Sequence, residues 1–486
     1  MEILFVSPEV APFVRTSSVA DVSASLPKAL RSLGHRVHVV TLLHGSPESA
    51  GIPLAKRLST LSIELGQQRV EIERYEARLA SGVTVTLLNL PGITDRSTPY
   101  GHADDHKRFA VLAKGAIALI QSQPERPDIV HAHDWAAALV PLFLSLAQEK
   151  DASLRSIRTV LTAYDAESRG LFDRSTLREI NVPERLFSPD ELEFYGKVCW
   201  LKHGVLKADK VTVPSPTYAR ELLQPESGRG LEGVFAHRGK DVLGVLHGVD
   251  FSVYNPATDP HLIARFDAEG TLPREACRAD LAEQAGLPAR PEPPVFAYVG
   301  PIDAARGMDL LAACAARIIR NDARWVLAGD GDASLVESFE ALAKRFPDRV
   351  SFRRTYSEAF FHKVLAGADF WIAPARREPG ASAHLYAMRY GTIPVARASG
   401  AVRDAVVDCD PKLDSGTGFL FSNPDPDELF GAIGRALAAF RRKDQLARVR
   451  HRAMRRDLSW DRCARQYESL YKSLVERVTQ PAALTA

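Results

Sequence analysis

The chain lacks the features typical of membrane proteins, nucleic-acid-binding proteins and secreted proteins. No stretch approaches the roughly 18 apolar residues of a membrane span. Met1 leads directly into a strand pattern, so we expect no signal peptide and no membrane partner. The 62 Lys and Arg nearly balance 60 Asp and Glu without a long block of like charge, which argues against a nucleic-acid partner. Five scattered cysteines without C-x-x-C spacing predict reduced thiols and a cytoplasmic protein.

The 486 residues contain two series of apolar strand patterns, each alternating with helical patterns. The first series comprises Ile3–Val6, Val37–Leu42, Val83–Leu88, Asp128–His131, Thr159–Thr162, Val211–Pro214 and Val242–His247. The second comprises Val295–Val299, Trp325–Ala328, Val350–Phe352, Phe370–Ala373, Ile393–Ala396 and Gly418–Phe421. Alternating βα units predict an α/β fold with two parallel sheets. Tyr254–Pro260 predicts a turn-rich linker between them, and Trp460–Val478 predicts a final amphipathic helix.

One segment of the second series carries the most information. Its pattern predicts a strand at Phe370–Pro374, a turn, a helix at Ala381–Tyr390 and a second strand at Thr392–Ala396. An acid, Glu378, therefore precedes a helix N-terminus at the carboxyl edge of a parallel sheet. Open α/β sheets bind ligands at this edge, and free N–H groups there attract phosphate.

This segment resembles the E-P-x-G-L-x-Q-L-Y-A-M-R-Y-G-T-x-P segment of bacterial glycogen and starch synthases. Further resemblance lies in MEILFVSPEVAPF, HAHDWAAAL, FYGKVCWLKHGVLKADKVTVPSPTYARELL, GRGLEGVFAHRG, GVDFSVYNPATDP and HKVLAGADFWIAP. The resemblance covers nearly the whole chain. It implies the GT-B architecture, in which two Rossmann-like domains face each other across a cleft and a C-terminal helix crosses back to the first. The expected boundaries are 1–247 for the first domain, 248–457 for the second, 458–478 for the crossover helix and 479–486 for a tail.

The resemblance also implies a reaction: transfer of glucose from ADP-glucose to an α-1,4-glucan, with retention. Preorganised positive charge on the departing diphosphate is the main requirement. In the family, a Lys-Thr-Gly-Gly loop of the first domain and an Arg and a Lys of the second supply this charge. No metal or other cofactor is expected, and the expected partner is an α-glucan such as glycogen.

The first-domain loop departs from the family motif. Arg15 replaces the lysine and keeps the charge, but its planar fork does not fit a point-charge site without adjustment. Ser17 and Ser18 replace two glycines, which permit close backbone approach to a ligand. The alternative interpretation is that Ser18 simply caps the following helix.

Four other positions also differ from the residues of the family motifs. Pro301 replaces the second-domain arginine and offers neither charge nor N–H, although it could also merely stiffen a turn. Arg306 stands for the lysine. Tyr164 replaces a histidine that faces the donor glucose, so we expect its phenol to intrude there. His247 replaces an asparagine.

Several family residues are retained, namely Glu9, Asp21, His131, His133, Asp134, Trp135, Tyr356 and Glu378. The spacing of the two histidines beside Asp134 could suggest zinc, but no further ligand cluster appears in the sequence. A structural or glucan-contacting role is therefore favoured. Two D-x-D patterns, ending at Asp332 and Asp427, are predicted to be turn or cap residues.

The proposed site follows from these motifs. The candidate catalytic residues are Glu378, Arg15, Arg306 and Asp134. The candidate substrate-binding residues are Glu9, Asp21, Ser17, Ser18, His131, His133, Trp135, Tyr164, His247, Tyr356, Gly380 and Ala381.

Three hypotheses remain open. The chain is an active synthase, or it is an impaired homologue that binds glucan or regulates an active synthase. The third is a GT-B enzyme with another sugar donor. The altered phosphate-binding motifs favour impairment.

Overall fold

In the computed structural model, residues 1–46, 51–288, 292–320, 322–378, 380 and 383–479 are described. They form two compact units, one of residues 1–247 together with the chain from Trp460 onward, and one of residues 248–459. Each unit is built on a large sheet, mainly parallel in the first unit and wholly parallel in the second, as the alternating pattern predicts. The α/β fold class is thereby confirmed.

The first unit contains a mainly parallel sheet in the order β13-β12-β8-β7-β1-β2-β6-β5-β3, with β4 paired to β5. Its strands are β1 Glu2–Val6, β2 Arg36–Leu42, β3 Ala55–Lys56, β4 Leu61–Leu65, β5 Gln68–Arg78, β6 Thr84–Asn89, β7 Ile129–His133, β8 Arg158–Thr162, β12 Lys210–Val213 and β13 Val242–Gly244. A separate antiparallel sheet has the order β10-β11-β9, formed by β9 Leu171–Phe172, β10 Glu193–Phe194 and β11 Lys197–Cys199.

Helices cover the large sheet of the first unit. They are α1 Ser18–Ser32, α2 Asp105–Ser122, α3 Val140–Lys150, α4 Thr176–Glu179, α5 Trp200–Lys207, α6 Pro216–Glu221, α7 Pro225–Gly228, α8 Glu232–Arg238 and, from the C-terminal end, α17 Trp460–Thr479. The apolar face of α17 packs in one core cluster with α1, β1 and β2, where Tyr467 and Tyr471 are fully buried. The predicted return of the last helix to the first half of the chain is thus observed.

The second unit contains six parallel strands in the order β16-β15-β14-β17-β18-β19. The strands are β14 Val295–Val299, β15 Arg324–Ala328, β16 Val350–Arg353, β17 Phe370–Ala373, β18 Ile393–Arg397 and β19 Phe419–Phe421. The helices are α9 Arg274–Ala285, α10 Met308–Arg320, α11 Ala333–Arg345, α12 Glu358–Gly367, α13 Ala383–Arg389, α14 Gly400–Ala405, α15 Pro426–Phe440 and α16 Lys443–Met454. Every strand pair is parallel and most strand residues are buried, which explains their continuous apolar runs.

Two predicted local features are confirmed in the second unit. The side chain of Asp332 accepts hydrogen bonds from the first backbone N–H groups of α11, and that of Asp425 does the same for α15. The D-x-D patterns are therefore helix caps.

The sequence did not reveal the antiparallel elements β3, β4, β5 and β9–β11. Those strands are short or half exposed, so they lack a continuous apolar run. Across the described residues, no helix combines the length and apolar character needed to cross a membrane. All five cysteines are buried free thiols.

Candidate functional site

The loop before α1 is held by the buried carboxylate of Glu9. One carboxylate oxygen, Oε2, accepts hydrogen bonds from the Thr16 N–H at 2.6 Å, the Thr16 hydroxyl at 2.8 Å and the Ser17 N–H at 3.1 Å. The other, Oε1, accepts from the Ser17 hydroxyl at 2.8 Å and from the Tyr100 hydroxyl at 2.7 Å. The backbone N–H groups of this loop therefore point at a carboxylate of their own chain.

The cap of α1 is Ser17, which corrects the expectation for Ser18. Ser17 has an extended backbone with φ −142° and ψ 174°, and its hydroxyl oxygen accepts from the Val19 N–H. Ser18 is already the first helical residue, so its side chain cannot act as the cap. Beside this cap, Arg15 forms an ion pair with Asp21 at 2.8 Å.

The end of β7 carries His131 and His133 into a buried polar cluster. His131 is hydrogen-bonded through Nδ1 to the Tyr471 hydroxyl at 2.7 Å and through Nε2 to Thr162 at 2.6 Å. His133 Nδ1 lies 3.0 Å from the Tyr164 hydroxyl. Burial lowers the pKa of His131 well below its usual value and that of His133 to about 3. Both imidazoles are therefore neutral.

Tyr164 and His247 extend this cluster towards α17. The Tyr164 ring is buried and lies 5.7 Å from the His247 ring, which lies 5.5 Å from Trp460. Neither ring nitrogen of His247 has a hydrogen-bond partner among the described residues, and burial lowers its pKa to about 3. The phenol expected to face the donor glucose is thus bonded inside the first unit to His133. No described group of three His, Cys, Asp or Glu residues could hold a metal ion.

Asp134 follows His133 and turns the chain sharply at the carboxyl edge of the sheet. Its backbone lies at φ 62° and ψ 179°, unusual for a residue with a side chain. Its Oδ1 atom is buried without a hydrogen-bond partner in the described part of the chain. Burial, together with the negative charges of Asp165 and Glu9, raises the pKa of the Asp134 carboxyl to about 7.

Asp134 lies in the wall of a cavity of about 570 Å³ within the first unit. The cavity is lined by Thr16, Ser17, Tyr100, Asp134, Trp135, Glu167, Ser168, Arg169, Gly170, Leu171 and Phe172. The Trp135 ring is fixed edge-on against Phe109, with centroids 5.0 Å apart. Aromatic faces beside carboxylate, hydroxyl and guanidinium groups form a site suited to a polar ligand with apolar faces.

The second unit places its candidate residues at the carboxyl ends of β14 and β17. Arg306, from the loop after β14, forms an ion pair with Glu378 at 3.5 Å, and the Glu378 side chain is only 6% exposed. The backbone carbonyl of Pro301 accepts a hydrogen bond from Tyr298 at 2.6 Å, so this turn is tied to the strand before it. Tyr356 is exposed.

The backbone of Glu378 meets the N-terminus of α14. Its carbonyl accepts from the Ala401 N–H at 3.0 Å. A Cβ on Gly400 would lie 1.8 Å from that oxygen, and Gly400 has φ 46°, so this position requires glycine. Gly380 is buried, whereas Ala381 lies outside the described residues.

The structure thus places Ser17 and Asp134 in the wall of one cavity, with Glu9 bonded to Ser17 behind it, and Arg306 beside Glu378 in the other unit. The sequence did not identify Tyr100, Arg169 or Phe172 as site residues. Only Tyr100 carried a signal, as an aromatic beside the turn residue Gly101.

Comparisons with known proteins agree with this architecture. Residues 2–237 match the family model described as the starch synthase catalytic domain, and residues 281–450 match that of glycosyl transferases group 1. A glycogen synthase of Anaeromyxobacter sp. (strain Fw109-5) is 38% identical over 478 residues, covering 98% of this chain and 99% of that protein. Glycogen synthase 2 of Geobacter sulfurreducens is 34% identical, with coverage of 97% and 98%.

A solved structure extends the likeness to three dimensions. The catalytic domain of starch synthase IV from Arabidopsis thaliana, bound to ADP and acarbose, superimposes with a TM-score of 0.92. It is 28% identical, with 98% of this chain and 99% of that one covered. The chain therefore belongs to the glycogen and starch synthase family and is a glycosyltransferase of that type with the GT-B fold.

Proposed function

We propose that this glycosyltransferase binds an α-glucan in its first unit but transfers glucose from ADP-glucose only slowly. The observation that carries the proposal is the side chain of Ser17, which stands where the family has glycine and whose hydroxyl donates to Glu9 at 2.8 Å. This bond adds to those from the Thr16 and Ser17 N–H groups and ties down the loop that, by family resemblance, would contact the diphosphate.

The Glu9 network opposes phosphate binding in two ways. Hydrogen bonds to a carboxylate are charge-assisted and stronger than neutral ones, so displacing them is costly. A phosphate that approached without displacing Glu9 would also meet its negative charge. The Ser17 hydroxyl donates one hydrogen bond to Glu9 and accepts another from the Val19 N–H, which caps α1. A glycine has no side chain to make either bond.

The second unit supports the same proposal. Pro301 stands where the family has an arginine and brings no positive charge to a phosphate. Arg306 keeps its charge but is paired with Glu378, which lowers its availability to another anion. Arg15 in the first unit is paired with Asp21 in the same way.

The glucan part of the proposal rests on the 570 Å³ cavity. Trp135, Tyr100 and Phe172 offer ring faces for sugar stacking, and Asp134 and Glu167 offer hydrogen-bond acceptors. None of these contacts requires the diphosphate. Because the related starch synthase IV domain was solved with ADP and acarbose, we propose ADP as the nucleotide of the donor.

The expected loss of rate is large. Removing one preorganised charge stabiliser costs on the order of 10²–10³ in rate. Several such losses combine less than additively, so we expect about 10⁵ overall. A turnover of roughly 10 per second would fall to about one event every few hours.

Two measurements on the purified protein test the proposal: calorimetric titration with ADP-glucose and with ADP, and incorporation of labelled glucose into glycogen. We expect weak donor binding and very slow incorporation. A combined variant with Ser17→Gly, Ser18→Gly, Tyr164→His and Pro301→Arg should raise incorporation by more than about 100-fold. Pro301→Ala is the matched control, since it removes the proline without adding charge.

One result would contradict the proposal that glucose transfer is slow. Low-micromolar affinity for ADP-glucose in the unmodified chain, with incorporation at ordinary synthase rates, would show that the altered loop does not impair catalysis. Co-sedimentation with glycogen tests the glucan part separately. A protein that stays wholly in the supernatant at ordinary salt has no functional glucan site.

A further inference from the structure

An aromatic ring projects into solvent near the glucan cavity of the first unit. Tyr195 is 85% exposed, far more than its neighbour Phe194, which is half-buried. It is the first residue of the two-residue turn between β10 and β11, and Gly196 is the second. Burial in the core does not explain this aromatic residue.

The backbone of this turn is unfavourable for tyrosine. Tyr195 has φ 48° and Gly196 has φ 78°, so both turn residues have the positive φ of a type I′ hairpin turn. Asparagine, aspartate or glycine usually occupies the first of these positions, because other side chains are strained there. Strained residues that persist in a fold are concentrated at functional sites.

The turn contacts neighbouring groups at three places. The Gly196 N–H donates to the Glu193 carboxylate at 2.7 Å. The Tyr195 ring meets Phe194 edge-to-face with centroids 4.7 Å apart. A Cβ on Gly230 would lie 2.9 Å from the Phe194 ring, so the glycine leaves the room that this ring occupies. The Tyr195 ring therefore rests against Phe194 and presents most of its surface to solvent.

The same small sheet forms part of the cavity wall. Leu171 and Phe172 of β9 line the cavity, and β9 pairs with β11, which pairs with β10. Two strand spacings, about 10 Å, separate β9 from β10. Arg169 connects the two places directly, because it lines the cavity and its guanidinium lies 5.2 Å from the centre of the Phe194 ring.

We propose that Tyr195 is an outer stacking platform for an α-glucan chain whose inner end occupies the cavity. This inference rests on the proposed glucan function of that cavity. A chain leaving the cavity past Leu171 would reach the Tyr195 ring within a short oligosaccharide length. The ring would then hold distant sugar units without touching the transferred one.

The chemistry around the turn favours a sugar chain over an apolar partner. The ion pair of Lys197 with Asp173, together with Glu193, places charged groups next to the aromatic ring. Sugars present an apolar ring face surrounded by hydroxyls, which matches an aromatic plane beside polar groups. An apolar protein surface would leave these charges desolvated.

The test uses the full chain and two probes, a trisaccharide and a decasaccharide of α-1,4-linked glucose. The variant is Tyr195→Asn, because asparagine is a preferred residue at this turn position. Binding to the decasaccharide should weaken by roughly threefold to tenfold while binding to the trisaccharide is unchanged. The thermal midpoint should stay equal or rise by about 1–2 °C, since the strain is relieved. Leu58→Asn, at another fully exposed apolar side chain of the first unit, is the matched control.

The outcomes separate the two proposals. Unchanged affinity of Tyr195→Asn for the decasaccharide overturns the platform while leaving the cavity intact. Equal weakening for both probes, or a midpoint lowered by several degrees, also overturns it, because Tyr195 would then act through the fold. If the unmodified chain binds neither probe, the proposed glucan function itself fails.

Discussion

Replacing Asp134 by asparagine should destabilise the protein at acidic pH and stabilise it at alkaline pH. The Asp134 carboxyl is buried, one of its oxygens has no partner among the described residues, and burial raises its pKa to about 7. Asparagine has nearly the same shape and carries no charge. The variant therefore isolates the cost of keeping this carboxylate ionised inside the protein.

The sign follows from proton binding in the two states. The Asp134 pKa is about 7 in the folded chain against 3.8 in the reference state, so between these values only the folded state holds the proton. Stability contributed by Asp134 is thus complete below about pH 4 and is lost as pH rises to about 7. A difference of about three pKa units corresponds to roughly 4 kcal/mol.

The amide introduces a smaller opposing cost. Its NH₂ group can face the position where Oδ1 now lacks a partner, and an unsatisfied buried donor costs about 1–3 kcal/mol. Asp134→Asn should therefore be more stable than the unmodified chain by about 1–3 kcal/mol near pH 8. Near pH 4 it should be less stable by a similar amount.

Thermal melting of both proteins across about pH 4 to pH 8.5 measures this difference. Glu149→Gln, which removes an exposed carboxylate from α3, is the control and should show no comparable pH dependence. A difference between Asp134→Asn and the unmodified chain that stays constant over this range would refute the reasoning. Asp134 would then be ionised throughout, with a solvent or ligand contact that offsets its burial.

Three further predictions concern the two units separately. Gly400→Ala should lower the melting midpoint, because its Cβ would lie 1.8 Å from a carbonyl oxygen, whereas Gly431→Ala in an open helical position should raise it slightly. Tyr471→Phe should cost about 1–3 kcal/mol of unfolding free energy in denaturant titrations, because it leaves His131 Nδ1 without its hydrogen-bond partner. Burial lowers the His247 pKa to about 3, so the stability that the neutral imidazole contributes is lost as pH falls below about 6.5. His247→Asn should therefore reduce by about one the number of protons taken up on acid unfolding, which flattens the dependence of the unfolding free energy on pH.

The parallel core was predictable because its strands are buried on both faces. Val295–Val299 and Phe370–Ala373 form continuous apolar runs, and the structure places both in strands with those bounds. The hairpin of β4 and β5 was missed because half its residues face solvent. Its sequence held two usable signals. One was the alternation of apolar and polar residues, and the other was Gly66 in the connecting turn, where φ is positive.

The site was less predictable because it depends on contacts between distant parts of the chain. The substitution of Ser17 for glycine was visible in the sequence, but its bond to Glu9 depends on how the loop after β1 folds back. Tyr164 was expected, from its position in the family motif and its size, to intrude on the donor glucose, and this stays a prediction. Nothing in the sequence indicated that its hydroxyl bonds to His133.

The fold of this chain and its proposed donor chemistry depend on different groups, so the fold could persist even where donor chemistry weakens. The bond between His131 and Tyr471 contributes to packing inside the first unit, and the close approach of Gly400 to Glu378 does so inside the second. Neither contact requires Arg or glycine in the phosphate loops, so Pro301 and Ser17 can be accommodated without loss of structure. The rings and carboxylates proposed to bind glucan in the cavity are likewise not the groups proposed to hold the diphosphate. Glucan binding and glucose transfer should therefore be measured independently, because different groups are proposed to carry each of them.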